Sequence, residues 1–397
     1  MSQVSERLAA LSPSETLAMS QKSNELKAQG FDVINLSVGE PDFFTPDFIK
    51  DAAKKAIDEN FSFYTPVPGY PELRKAIVNK LKKENNLDYK PEQIVCSGGA
   101  KQSVCNVILC IIGSGDEVIV PAPYWVSYAE MVKLAEGTNV FIPAGIEQDF
   151  KITPAQLEAA ITPKTKAIIL CSPSNPTGSV YSKAELKGLA EVLAKYPNIT
   201  IIADEIYEHI NYIGKHESIA QFENVRDRVV IVNGVSKAYA MTGWRLGWIA
   251  APQWIAAACN KLQGQYTSGP SSIAQKAAEA AYTGPQECIE EMRKAFERRR
   301  DLMVKLASDI PGFKVSKPQG AFYLFPDCSY YIGKAFNGKK MENSADLAMF
   351  LLEEGHVAAV GGLAFGAPDC IRFSYATSDD KLVEAMKRVK ETLGKLV

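Results

Sequence analysis

The chain has 397 residues, of which 46% are hydrophobic and 23% charged, with a net charge of -2. That length exceeds one ordinary core of about 150 residues, so two packed domains are expected. The even charge balance lacks the basic excess of a nucleic-acid binder, and no segment approaches the roughly 18 to 20 apolar residues of a membrane span.

The N-terminal stretch carries Glu6 and Arg7 and no unbroken apolar run, so it does not read as a secretory signal. The eight cysteines, Cys96, Cys105, Cys110, Cys171, Cys259, Cys288, Cys328 and Cys370, form no C-x-x-C pair. They read as small buried hydrophobes in a reducing compartment, and a cytoplasmic protein is expected. The three histidines, His209, His216 and His356, are scattered, which argues against a metal centre or a Ser/His/Asp triad.

From about residue 93 to 250, short β-rich runs alternate with amphipathic segments. The runs at 94–96, 117–120, 139–142, 167–171, 199–203, 228–232 and 246–250 predict an α/β domain with a largely parallel seven-stranded sheet. Residues 184–196 have helical period, and the charge-laced stretch 287–307 is long enough for a helix that bridges two domains. Further on, 320–325, 357–360 and 371–374 predict a smaller sheet, and Leu382, Ala385, Met386, Val389 and Leu393 recur on one face of a last helix. The expected division is a large domain at 47–290 and a smaller α+β domain built from 1–46 and 291–397.

Four segments carry chemistry. Ser97-Gly98-Gly99-Ala100-Lys101-Gln102 leads from a strand into a helix, whose free N–H groups make an anion site. Cys171-Ser172-Pro173-Ser174-Asn175-Pro176-Thr177-Gly178 follows a strand, and its two prolines bracket one presented amide, Asn175. Asp204 ends a β-branched run, at the edge where open α/β sheets bind ligands, with Tyr207 three residues on. Ser236-Lys237 precedes Arg245 by eight residues, pairing an imine-forming amine with a phosphate-clamping fork.

In this order, and over nearly the whole chain from Ser37-Val38-Gly39-Glu40-Pro41-Asp42 to Arg372-Phe373-Ser374-Tyr375-Ala376, the segments resemble the fold-type I pyridoxal 5′-phosphate enzymes. The resemblance is to class I aminotransferases of the bacterial aspartate aminotransferase branch. It implies that Lys237 holds the cofactor as a Schiff base and shuttles the substrate proton, and that Asp204 keeps the ring nitrogen protonated. By the same resemblance, Tyr207 and Asn175 hydrogen-bond the ring oxygen and Trp125 stacks on the ring. Gly99, Ala100, Lys101, Ser236 and Arg245 would surround the phosphate, joined across a homodimer interface by Tyr64. Arg372 would fork the substrate α-carboxylate, helped by Asn175 and the Gly39 backbone. Lys101 and Thr16 match residues that favour an acidic donor, aspartate or glutamate, with 2-oxoglutarate as acceptor, while prephenate or aromatic substrates and a β-lyase reaction remain alternatives.

Two departures from the family pattern carry expectations of their own. Gly234 stands where distant relatives have a hydroxyl residue, which leaves the phosphate one donor short or reliant on Ser236. Gly361-Gly362 replaces a Pro-Gly pair, which is expected to loosen that loop. A non-catalytic cofactor-binding regulator is disfavoured, since the chain has no basic arm for DNA.

Overall fold

A computed structural model describes residues 4–397. All seven expected runs are strands of one sheet, ordered Ile94–Ser97, Gly247–Ala250, Val229–Gly234, Thr200–Asp204, Thr165–Cys171, Glu117–Ala122 and Thr138–Pro143. Six run parallel, while Gly247–Ala250 is antiparallel to both neighbours. Consecutive Val and Ile suit strands covered on both faces. Ile168, Leu170, Ile201, Ala203 and Ile231 turn to one core, whereas Ile169, Ile202, Val230 and Val232 turn to the other.

Helices seal both faces. Ala100–Ile111, Ser127–Leu134 and Gln253–Tyr266 bring Val104, Ile108, Val132 and Ile255 to the second core. Lys183–Ala194 covers the first, and its start is set by a capping box in which Ser182 and Glu185 satisfy each other's backbone N–H groups. The helix Glu287–Ser308, about 33 Å long at 1.5 Å per residue, packs Cys288 and Ile289 against the first core. Its Met292, Phe296 and Met303 enter a third core, shared with Leu36, Phe322, Phe373 and Met386. One rigid element therefore joins the sheet-centred core to the one built from the chain's two ends.

The smaller sheet departs from expectation. Residues 357–360 split between two sheets: Val357–Ala358 pairs parallel with Ile34–Asn35, and Val360–Gly361 pairs antiparallel with Ile371–Ser374, which also takes Tyr323–Leu324. The N-terminal strand supplies a ladder that the sequence of 357–360 does not announce. Gly361 and Gly362 mark close packing rather than looseness. A Cβ on Gly361 would lie 2.7 Å from the Ala345 backbone, and one on Gly362 would lie 2.1 Å from the Ala367 carbonyl oxygen. Gly362 N–H also donates to Cys370 O at 2.7 Å. Gly362→Ala is accordingly expected to lower the unfolding free energy by about 1–3 kcal/mol in urea titration. An unchanged midpoint and slope would contradict the close approach.

Candidate active site

The carboxyl ends of the parallel strands face the third core, and between them lies a cavity of about 400 Å³, within the usual range of ligand pockets. It is lined by Thr16, Gly39, Ala100, Lys101, Trp125, Asn175, Asp204, Tyr207, Ser236, Lys237, Arg245 and Arg372, so twelve of the fourteen residues singled out from sequence converge here. Gly99 stands immediately behind, where a Cβ would lie 2.4 Å from Arg245 Nη2. Tyr64 is elsewhere: it is 98% exposed, beside Phe63 in a separate hollow with Gly269 and Ser271.

Asp204, Asn175 and Lys237 are delivered by the carboxyl ends of sheet strands. Asp204 closes the fully buried strand Thr200–Asp204. Its Oδ2 accepts from Tyr128 Oη at 2.5 Å and its Oδ1 from Ile206 N at 3.3 Å. Burial raises its pKa to about 6 against those hydrogen bonds. Asp204 caps no helix, because the following residues form turns.

Lys237 lies in the turn after Val229–Gly234, and its Nζ donates to Gly39 O at 2.5 Å. Burial depresses this amine to about 8; Glu40 opposes the shift, and the Arg372 and Arg245 charges reinforce it. An amine so shifted is neutral in a substantial fraction near pH 7–8, which nucleophilic attack requires. The turn is tied to the N-terminal segment by Thr45, whose hydroxyl donates to Ala240 O at 2.8 Å and accepts from Trp244 Nε1 at 3.0 Å.

The helix Ala100–Ile111 starts after Gly99, whose φ of 98° suits glycine. Its first N–H groups, at Ala100 and Lys101, have no acceptor within the helix and so face an incoming anion. Arg245 reaches the same place, donating to Thr242 O at 2.8 Å and to Gly98 O at 3.1 Å. Gly247 lets helix and sheet edge meet, since a Cβ there would lie 2.2 Å from Ala100 N. Gly234 has no room for the hydroxyl side chain found in relatives, because its Cβ would come 2.8 Å from Gly247 Cα and from Leu246 O. The glycine is a packing requirement, and Ser236 supplies the hydroxyl that lines the cavity.

At the other end Arg372 is 1% exposed and makes no ion pair among the described residues. Its Nη1 donates to Asn175 Oδ1 at 2.9 Å and its Nη2 to Ser37 O at 2.6 Å, while Nε is buried without a partner. The guanidinium carbon lies 4.6 Å from the Tyr323 ring centre and 4.9 Å from that of Phe365. Lys101 Nζ stands 5.0 Å from the Trp125 ring centre, its pKa lowered by burial and by Arg245.

Sequence reading missed Tyr128, Tyr323 and Glu40, which all line the cavity. Nothing in the sequence separates such tyrosines from core ones. A histidine and carboxylate cluster outside the cavity, Glu84, Glu208 and His209, already has its cation: Lys80 Nζ contacts Glu208 and donates to Asn85 Oδ1 at 2.8 Å.

A mostly parallel sheet with a buried amine, a buried acid and an anion-ready helix start at its carboxyl edge is the architecture of the fold-type I transferases. The chain belongs to the aminotransferase class I and II family, whose pattern matches residues 32–389. It is 49% identical to an aspartate aminotransferase of Geobacillus stearothermophilus, over 97% of this chain and 98% of that one. It is also 49% identical to an aspartate/prephenate aminotransferase of Cereibacter sphaeroides, over 98% of each. Its fold superposes on the crystal structure of the Rhizobium meliloti aspartate aminotransferase with a TM-score of 0.96, 42% identity and full coverage of both chains.

The raised Asp204 pKa has a consequence for stability. The folded chain holds the Asp204 proton up to about pH 6, whereas the unfolded chain releases it near 3.8. This group's contribution to folding is therefore most favourable below about pH 4 and is lost as pH rises through 6. In the cofactor-free protein, Asp204→Asn is expected to gain about 3 kcal/mol relative to wild type between pH 4 and pH 7, at 1.36 kcal/mol per pKa unit. A stability difference that stays flat with pH would contradict it.

Proposed function

We propose that the chain is a pyridoxal 5′-phosphate-dependent aspartate aminotransferase with 2-oxoglutarate as acceptor, Lys237 being the amine that attaches the cofactor. The residues present fit this group. Asp204 is a buried acid facing the cavity with no ion pair among the described residues, which suits a protonated ring nitrogen. The helix start with Arg245 and Ser236 suits a phosphate dianion. When bound, pyridoxal phosphate supplies an aldehyde for amine exchange and a ring that takes up the electrons of a broken C–H bond.

This chain's residues do the rest. Asp204 would keep a proton on the ring nitrogen, Tyr207 and Asn175 would hold the ring oxygen, and Trp125 would pack against the ring. Arg372 takes the substrate α-carboxylate in a two-pronged contact, which its lack of an ion pair favours. With cofactor and substrate bound, Lys237 Nζ, depressed to about 8, would take the substrate α-proton and pass it to the carbon that carried the cofactor's aldehyde. We further assign 47–290 and the joined pieces 1–46 and 291–397 as two bodies that hold the site between them. The protein is read as a cytoplasmic homodimer. Tyr64 and its exposed neighbour Phe63 are available to a second copy, and all eight cysteines are unpaired.

One observation carries the substrate assignment: besides Lys237 and Arg245, which the cofactor would engage, two further cationic side chains, Arg372 and Lys101, line the same cavity, with Thr16 also on its wall. A dicarboxylate bridges such ends. Prephenate, with its two carboxylates, is the second acceptor this geometry admits, and the Cereibacter relative is named for it. The test is a donor and acceptor panel with the purified protein. Lys101→Ala is expected to lose at least about 100-fold in kcat/KM for aspartate and under about fivefold for phenylalanine. Equal losses on both donors would overturn recognition of the distal carboxylate. Lys237→Ala is expected to abolish turnover, and retained transamination would overturn the assignment of the amine.

A further inference from the structure

Tyr323 lies where four site residues meet. It begins the strand Tyr323–Leu324, opposite Ser374 of Ile371–Ser374. Ser374 and Arg372 point to the same face of their strand, so Tyr323 is a diagonal neighbour of Arg372, whose guanidinium it supports at 4.6 Å. Its hydroxyl oxygen lies 2.7 Å from that of Tyr207. A Cβ on Gly39 would come 2.5 Å from the same hydroxyl, and Gly39 O is the acceptor for Lys237 Nζ. The side chain is wholly buried.

Between two hydroxyls, one donates and the other accepts. Among the described residues each of these has the other as its hydrogen-bond partner, so the direction of donation decides what Tyr207 offers the cavity. With Tyr207 donating to Tyr323, the cavity meets only a lone pair. With Tyr323 donating, the Tyr207 proton is free to turn inward. Burial raises the pKa of both phenols and the Arg372 cation lowers both, but the cation lies on the Tyr323 ring and is second only to burial there, while Tyr207 is raised well above its ordinary value; the more acidic Tyr323 hydroxyl is therefore the donor.

We propose that Tyr323 is a positioning residue: its hydroxyl donates to Tyr207, leaving the Tyr207 proton for the cavity and strengthening Tyr207 as a donor, while its ring supports Arg372. One side chain thus links the carboxylate-binding end of the site to the cofactor end. The proposal rests on the pyridoxal phosphate reading given above.

The test compares Tyr323→Phe, Tyr207→Phe, the double variant and Tyr323→Leu, each stripped of cofactor and reloaded. In Tyr323→Phe the ring stays and the hydroxyl goes. The pH at which the bound cofactor's absorbance changes is expected to rise by up to about half a unit, because Tyr207 keeps its proton for the cavity but loses the donated hydrogen bond that strengthens it as a donor. Cofactor affinity, read by tryptophan fluorescence on adding pyridoxal phosphate to the stripped protein, is expected to weaken severalfold, with KM for aspartate within about twofold of wild type. In the Tyr207→Phe background the second substitution is expected to shift neither reading, as required of a residue that acts through Tyr207. Tyr323→Leu, which removes the ring as well, is expected to raise KM roughly tenfold. A Tyr323→Phe protein that titrates like wild type, or an equal shift in both backgrounds, would overturn the role. Failure of the stripped wild type to bind pyridoxal phosphate would instead overturn the cofactor reading beneath it.

Discussion

Two charges of opposite sign, Asp204 and Arg372, are buried in one cavity without an ion-pair partner among the described residues. Burying an ion is costly unless a partner compensates it. The rest of the site can be understood as the means of holding these two charges in place and apart. Tyr128 and the Ile206 N–H hold the acid, while Asn175, Ser37 O and two aromatic faces hold the guanidinium. Partial compensation by neutral dipoles leaves each charge in want of a ligand of opposite sign. A zwitterionic cofactor and a carboxylate substrate meet that want.

The fold makes this arrangement stable by drawing Asn175, Asp204 and Lys237 from the ends of three separate strands. Ser97, Cys171, Asp204 and Gly234 end parallel strands at one edge, and the antiparallel strand begins there at Gly247. Reversing that single strand brings Arg245 to the anion site beside the start of Ala100–Ile111. The glycines at 99, 234 and 247 have little freedom to change, since a Cβ at any of them would meet backbone or Arg245 at under 3 Å. Packing precision at this edge and anion binding are one requirement.

The sequence exposed most of this. Consecutive β-branched residues identified all seven central strands, because a strand covered on both faces needs apolar side chains at every position. Lys237, Asp204 and Asn175 were readable because each ends or follows such a strand within a few residues, and Arg245 because it stands just before one. Tyr128 and Tyr323 were not, since a tyrosine that fills a core and one whose hydroxyl serves a site have the same local sequence. The division of 357–360 between two sheets also escaped, because the pairing partner at 34–35 is more than 300 residues away and only two residues long. Gly361 and Gly362 were misjudged for a related reason: a glycine read alone signals freedom, whereas here Ala345 and Ala367 occupy the space that a Cβ would need.

The claim on which everything else depends is that Lys237 is the amine that holds the cofactor. Its most direct test is reductive trapping: the purified protein is saturated with pyridoxal phosphate, reduced with borohydride, digested, and its peptides weighed. The account predicts one stoichiometric phosphopyridoxyl addition on the peptide containing Lys237. A label confined to another lysine, such as Lys101 or Lys80, with Lys237 unmodified, would contradict it.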